Sequence, residues 1–289
     1  MGVMKGKAQY EDGYWWSNDG LRLHYRDFAG PVDRPPILCI PGLTRNVRDF
    51  EDVAARLAGQ WRIICVDLRG RGESAYAKDS LTYSPFTYVQ DMEILIRELK
   101  IDRFILFGTS LGGIVSMVLG GAERDRLAGL LLNDIGPDIE AGGLARIRTY
   151  VGRGSGWPTW VHAARHLAET NGPIFPRYDL PEWLRMAKQL NRVTASGRIV
   201  GDYDSKIADA FNVPAEPFDL WGALDMLKGV PSLIVRGALS DVLAKATVSK
   251  MIKRLGDAAS VNVKNVGHAP SLCEPEAVSA IDALLARIA

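Results

Sequence analysis

The densest chemical signal in the chain is Gly108-Thr109-Ser110-Leu111-Gly112, a G-x-S-x-G pattern. It follows the apolar run FILF and opens LGGIVSMVLGGA, so a buried strand would end and a helix begin at the serine. A turn that sharp forces its central residue into a strained conformation, and flanking glycines keep neighbouring backbone from clashing. The serine oxygen is then carried above a sheet edge, at the positive end of a helix. A hydroxyl becomes a useful nucleophile only when a base takes its proton, and the chain offers four histidines. His24 lies in an alternating strand pattern and reads as structural. His162 and His166 stand four apart in WVHAARHLAE, without an HExxH pattern or a matching third ligand, so no metal is expected there. His268, in VKNVGHAP beyond the last strand-like run, is the expected base.

An imidazole in this role needs a carboxylate to fix its tautomer and stabilise its charged form. Two acids end strand-like runs: Asp241 in RGALSDVL and Asp134 in LLLND. The short polar loop from Gly237 to Asp241 aims at the same edge as His268. Asp241 is therefore the expected orienting residue, and Asp134 is expected to anchor the segment after it. Asp67, in VDLRGRGES, is expected to tie its loop to Arg69 or Arg71. The oxyanion of an acyl-transfer transition state needs backbone donors. The N–H of Leu111 and that of Leu43, in CIPGLTRN, are the expected pair.

The elements that would position these residues are legible as short apolar runs. Six recur at 37–40, 63–68, 104–108, 129–134, 232–237 and 260–267, mostly continuous rather than alternating, as when helices cover both faces of a parallel sheet. Helical patterns fall at 47–58, 86–100, 111–122, 244–255 and 275–287. This alternation predicts an α/β fold with a doubly wound sheet. Ahead of it, YWWSNDGLRLHYRDF reads as a hairpin around Asn18-Asp19-Gly20, which brings the strands to eight. The alternation breaks between about 137 and 228, where prolines at 158, 173, 176, 181, 214 and 217 punctuate short helical patterns and no strand is expected. That segment holds Trp157, Trp160, Trp183 and Trp221, and its charges cancel, eleven basic against eleven acidic. It reads as a helical cap inserted into a core made of 1–136 and 229–289.

Composition narrows the partners. The 289 residues carry 35 basic and 34 acidic side chains, a net charge of +1 that excludes a phosphate-tracking surface for nucleic acid. No polybasic segment suits an anionic membrane, and no apolar run approaches the length of a membrane span. The N-terminus lacks a secretory apolar core, and Gly6 stands where a myristoylation site needs Ser or Thr. Cys39 and Cys65 lie in apolar runs and Cys273 is unmatched, which suits buried thiols in a reducing cytoplasm. Gly70-Arg71-Gly72 lacks the third glycine of a dinucleotide fingerprint, and no phosphate-binding GxxxxGK[ST] occurs.

With these motifs in place, the chain resembles the α/β-hydrolase family over essentially its whole length. PGLTRN, DLRGRGES, GTSLGG, RGALSD and VGHAP each fall at the end of the appropriate strand, and Ser110, Asp241, His268 follow the family's chain order. The resemblance implies a mostly parallel eight-stranded sheet flanked by helices, a helical cap, a Ser110–His268–Asp241 triad and acyl transfer without a cofactor. One departure stands out. The family's oxyanion loop usually begins His-Gly, and here it reads Pro41-Gly42, so a side chain that orders the loop is missing. Serine in the elbow separates the chain from the family's dehalogenases and epoxide hydrolases, whose nucleophile is aspartate; the HGGG signature is also absent. The leading expectation is a hydrolase of small, moderately apolar carboxylic esters bound between core and cap. A C–C bond hydrolase of aromatic ring-cleavage products would use the same triad and want a dedicated arginine, for which Arg45, Arg148 and Arg153 are candidates. An enol-lactonase and a non-catalytic binding protein are the remaining alternatives. The oligomeric state is left open.

Overall fold

A computed structural model describes residues 9–153, 156–212 and 218–288. Ten strands occur among them: β1 (Glu11–Trp16), β2 (Arg22–Phe28), β3 (Ile37–Ile40), β4 (Ile63–Asp67), β5 (Phe104–Thr109), β6 (Leu127–Asn133), β7 (Asn191–Val193), β8 (Ile199–Gly201), β9 (Ser232–Gly237) and β10 (Ala258–Val263). The α-helices are α1 (Glu51–Leu57), α2 (Pro85–Glu98), α3 (Leu111–Ala122), α4 (Ala141–Tyr150), α5 (Trp160–Asn171), α6 (Leu180–Leu190), α7 (Ile207–Asn212), α8 (Leu220–Asp225), α9 (Lys245–Leu255) and α10 (Pro275–Leu285). Eight strands form one sheet in the order β1-β2-β4-β3-β5-β6-β9-β10. The β1–β2 and β2–β4 pairs are antiparallel and the others parallel. This is the α/β-hydrolase fold.

Strand alternation explains why continuous apolar runs were needed. Along β3, Ile37 and Cys39 pack into one core while Leu38 and Ile40 pack into the other. β4 repeats the split, with Ile63 and Cys65 on one side and Ile64 and Val66 on the other. Each face is covered, α2 and α3 contributing to one core and α1 and α10 to the other, so a polar residue mid-strand would have no water to meet. Cys39 and Cys65 are register partners on adjacent strands, both fully buried as free thiols.

The expected hairpin is β1–β2, turning at Asn18-Asp19 with Gly20 following at φ +76°. The expected helix at 47–58 divides into a 3₁₀ turn, Val47–Phe50, and α1. The chain leaves the sheet after β6 and returns at β9. Between them lie α4 to α8 and, contrary to expectation, the antiparallel pair β7–β8. Each of these strands is three residues long, too short to show a period, and the turn between them uses Gly197 at φ +77°. Pro214, Pro217 and the N-terminal residues 1–8 lie outside the described residues. Among the described residues, no helix is long and apolar enough to cross a membrane.

Candidate active site

Ser110 joins β5 to α3 with φ +52° and ψ −117°, a conformation non-glycine residues rarely adopt. Its neighbours show what the turn demands. A Cβ on Gly108 would lie 2.4 Å from the Gly112 carbonyl oxygen and from Ser116 Oγ, and one on Gly112 would lie 1.9 Å from the Ile40 carbonyl oxygen. Only glycines let α3 start this close to β3 and β5. The Ser110 N–H donates to the Asn133 carbonyl at 3.0 Å, which ties the elbow to the end of β6.

His268 arrives on the loop after β10. Its Nε2 is 2.9 Å from Ser110 Oγ and its Nδ1 is 2.8 Å from Asp134 Oδ2. Asp134 is fully buried, and its carboxylate also accepts the Gly237 N–H at 2.8 Å and the Ser240 hydroxyl at 2.6 Å. Asn133, the residue before it, donates from its side-chain amide to Thr109 Oγ1 and to the Pro270 carbonyl. The end of β6 thus braces both β5, which leads into Ser110, and the loop that carries His268.

Asp241, the expected partner of His268, does not hold it. Its carboxylate instead takes two hydrogen bonds from the Arg146 guanidinium, Nε to Oδ2 at 2.6 Å and Nη2 to Oδ1 at 2.9 Å. Those bonds keep its pKa below the usual carboxylate value. The loop from Gly237 to Asp241 does reach the catalytic edge, as its composition suggested. What it delivers there is the Gly237 N–H and the Ser240 hydroxyl, both to Asp134. Asp241 lies one residue further and meets α4, where a Cβ on Gly143 would touch its carbonyl oxygen at 2.5 Å and Arg146, one turn on, reaches its carboxylate. Asp134 lies directly after β6, beside β5, with φ +55°. That position needs no long loop to reach the imidazole.

Leu43 stands on the loop after β3, against the elbow: a Cβ on Gly42 would sit 3.6 Å from Ser110 Cβ. Leu111 is the first residue of α3, where a backbone N–H has no partner within its own helix. Asp67 also differs from expectation. It binds neither arginine, but accepts from His24 Nδ1 at 2.7 Å, the Val47 N–H at 2.7 Å and the Glu73 N–H at 3.0 Å. Arg69 pairs instead with Asp91 and Asp19.

A cavity of about 360 Å³ opens above Ser110 and His268, between the sheet and the segment that follows β6. Trp157 and His166 line it with their rings 5.2 Å apart, while His162 bonds Thr159 at the surface. Four arginines line it: Arg45, Arg146, Arg153 and Arg192. Of the three arginines singled out from sequence, Arg45 and Arg153 are present, while Arg148 faces elsewhere and lies over the Phe211 ring. Arg146 was missed. Helical spacing carried the signal, because Gly143, Arg146 and Tyr150 share a face that Arg148 does not.

A sequence profile of the alpha/beta hydrolase family matches residues 37–281. The chain is 34% identical over 267 residues to a 3-hydroxybutyrate-oligomer hydrolase of Cupriavidus necator, covering 89% of this chain and 90% of that one. It is 28% identical over 243 residues to a 2-(acetamidomethylene)succinate hydrolase of Mesorhizobium japonicum, with 84% of each covered. Among solved structures, an alpha/beta hydrolase from Novosphingobium aromaticivorans superposes with a TM-score of 0.94 at 50% identity, covering 98% of this chain and all of that one.

Proposed function

Because the chain belongs to the alpha/beta hydrolase family, and is a hydrolase, we propose that it cleaves carboxylic esters through an acyl-enzyme on Ser110, favouring esters that carry a free carboxylate of their own. The observation that carries the reaction is the unbroken path from Ser110 Oγ through His268 to Asp134. His268 Nε2 takes the hydroxyl proton as Oγ attacks the carbonyl carbon, and the imidazolium is held by Asp134 through Nδ1. The oxygen of the tetrahedral adduct, now negative, accepts from the N–H groups of Leu43 and Leu111. Collapse breaks the bond to the alkoxy oxygen, which leaves with the proton from His268. Water then gives a proton to the same nitrogen and attacks the acyl carbon; as the second adduct collapses, the bond to Ser110 Oγ breaks and Oγ takes that proton back from His268, freeing the acid. No step calls for a metal or cofactor.

The lining of the cavity supports the carboxylate. Arg45, Arg146 and Arg192 have acidic partners in Asp49, Asp241 and Asp202, whereas Arg153, exposed at the cavity, has none among the described residues. The balanced charge of 137–228 concealed this. Its acids Asp202 and Asp204 are used at the junction with the core, on Arg48 and Tyr83, and leave arginines facing the cavity. Both named relatives act on compounds that bear carboxylates, one an oligomer of a hydroxy acid and the other a succinate. An ester with a charged end fits this lining better than the moderately apolar ester expected from composition.

The test compares the dimer of 3-hydroxybutyrate with its methyl ester. Wild-type kcat/KM should be about tenfold higher for the free acid, and Arg153→Gln should bring the two close to parity. Equal turnover by the wild type would remove the carboxylate preference. Faster turnover of a ring-fission dienone than of either ester would replace ester cleavage with C–C cleavage.

A further inference from the structure

The loop that should present the Leu43 N–H begins with Pro41-Gly42, and neither residue has a side chain that could hydrogen-bond the loop in place. Something else must hold it. The side chain that reaches it is Arg71, from the loop after β4. Arg71 is fully buried, and its Nε and Nη2 donate to the same acceptor, the Leu43 carbonyl oxygen, at 3.0 and 2.8 Å. Its Nη1 donates to the Arg69 carbonyl at 2.7 Å and to Tyr88 Oη at 2.9 Å. The Tyr88 ring lies 5.0 Å from the guanidinium carbon.

Two features single out this contact. First, Arg71 has no carboxylate partner among the described residues, and a buried cation without a counter-ion is costly. Neighbouring Arg69, equally buried, is neutralised by Asp91 and Asp19. The charge of Arg71 is instead directed at backbone carbonyls and a tyrosine, and two of its donors converge on one oxygen. Second, that oxygen belongs to the residue expected to supply the oxyanion donor. The carbonyl before it, Gly42, accepts the Arg45 N–H at 3.1 Å. With both carbonyls tied, the peptide planes on either side of Leu43 are fixed. Because the peptide is trans, the Leu43 N–H then points away from the Gly42 carbonyl. The loop that bears Arg71 is itself held from the far side: the Gly72 N–H donates to the Asp202 carbonyl at 3.1 Å, and Arg71 pairs with Tyr203, which lines the cavity.

We infer that Arg71 is the positioning residue for the Leu43 oxyanion donor. This rests on the serine mechanism proposed above. Arg71 is not among the residues that line the cavity and its side-chain bonds do not reach Ser110, so its loss should act on the transition state and spare ground-state binding.

The test uses Arg71→Met and Arg71→Lys with the ester that the wild type turns over best. Removing one oxyanion donor lowers kcat by 10²–10³ in a well-studied protease, and misplacing one here should lower it about 100-fold in Arg71→Met. KM should stay within about threefold, and a tetrahedral boronic acid should lose affinity in step with kcat while the product acid does not. Arg71→Lys, which keeps a cation but not the paired donors, should recover part of the loss. If Arg71→Met is not folded by circular dichroism, Arg71→Lys and Tyr88→Phe decide. A fall in kcat of about fivefold or more at constant KM supports the role, and wild-type kcat in both overturns it. The inference is also overturned if folded Arg71→Met keeps kcat within about threefold, or loses affinity for boronate and product alike. A wild type that no fluorophosphonate labels would instead defeat the serine mechanism itself.

Discussion

At the scale of single residues, the decisive choice lies between two aspartates. Their motifs look equivalent in sequence, since each follows an apolar run on the same sheet edge. The structure separates them by partner: Asp134 binds His268, and Asp241 binds Arg146. No spacing rule could have shown this, because the separation depends on α4 approaching Asp241 closely enough for Arg146 to claim it. Ser110 and His268 were legible because a glycine-flanked turn and a glycine-preceded loop leave a sequence trace; the path from Asp134 to His268 spans 134 residues and leaves none. Asp134→Asn should lower kcat by about 10³–10⁴, the scale seen when an orienting carboxylate of a Ser-His-Asp triad is neutralised. Asp241→Asn should leave kcat within about threefold and lower KM for the free-acid ester a few-fold, since it frees cavity-lining Arg146 from a part-exposed pair. Steady-state kinetics of the two variants checks this, and the reverse ranking would return the triad to Asp241.

At the scale of elements, strands buried on both faces were the easiest to read. β3 and β9 match their apolar runs residue for residue, and α3 begins and ends where its pattern does. Loops were harder, because their order comes from side chains distant in sequence. His24 on β2 illustrates this. It is buried between Asp67 at 2.7 Å and Asp12 at 3.0 Å, and Asp67 in turn receives the Val47 N–H from the chain beyond the oxyanion loop. Burial alone would lower the pKa of His24, but its hydrogen bonds and charge interactions with Asp67 and Asp12 outweigh that and raise it above 6.5. The sign follows. A raised folded-state pKa stabilises the fold fully below the unfolded value, and that contribution is lost as pH rises through the folded value. Urea midpoints measured from about pH 6 to about pH 9 should therefore fall more steeply for the wild type than for His24→Gln. Parallel profiles would mean that His24 is neutral throughout.

At the scale of the whole molecule, two layers of helices hold one sheet rigid, and the chain between β6 and β9 builds the wall of the cavity. The sheet places Ser110, His268, Asp134 and the proposed donors Leu43 and Leu111 beyond the ends of β3, β5, β6 and β10. The inserted segment supplies most of the arginines. Composition left the character of the wall open, since a balanced charge says nothing about which side of a helix faces inward. Among the described serines, Ser110 is the one whose hydroxyl lies at hydrogen-bonding distance from a histidine ring. The most direct test is intact-protein mass spectrometry after exposure to a fluorophosphonate. A single adduct on the wild type, mapped to Ser110 and absent from Ser110→Ala, is the predicted result. An unlabelled wild type, or an adduct that persists in Ser110→Ala, would contradict the account.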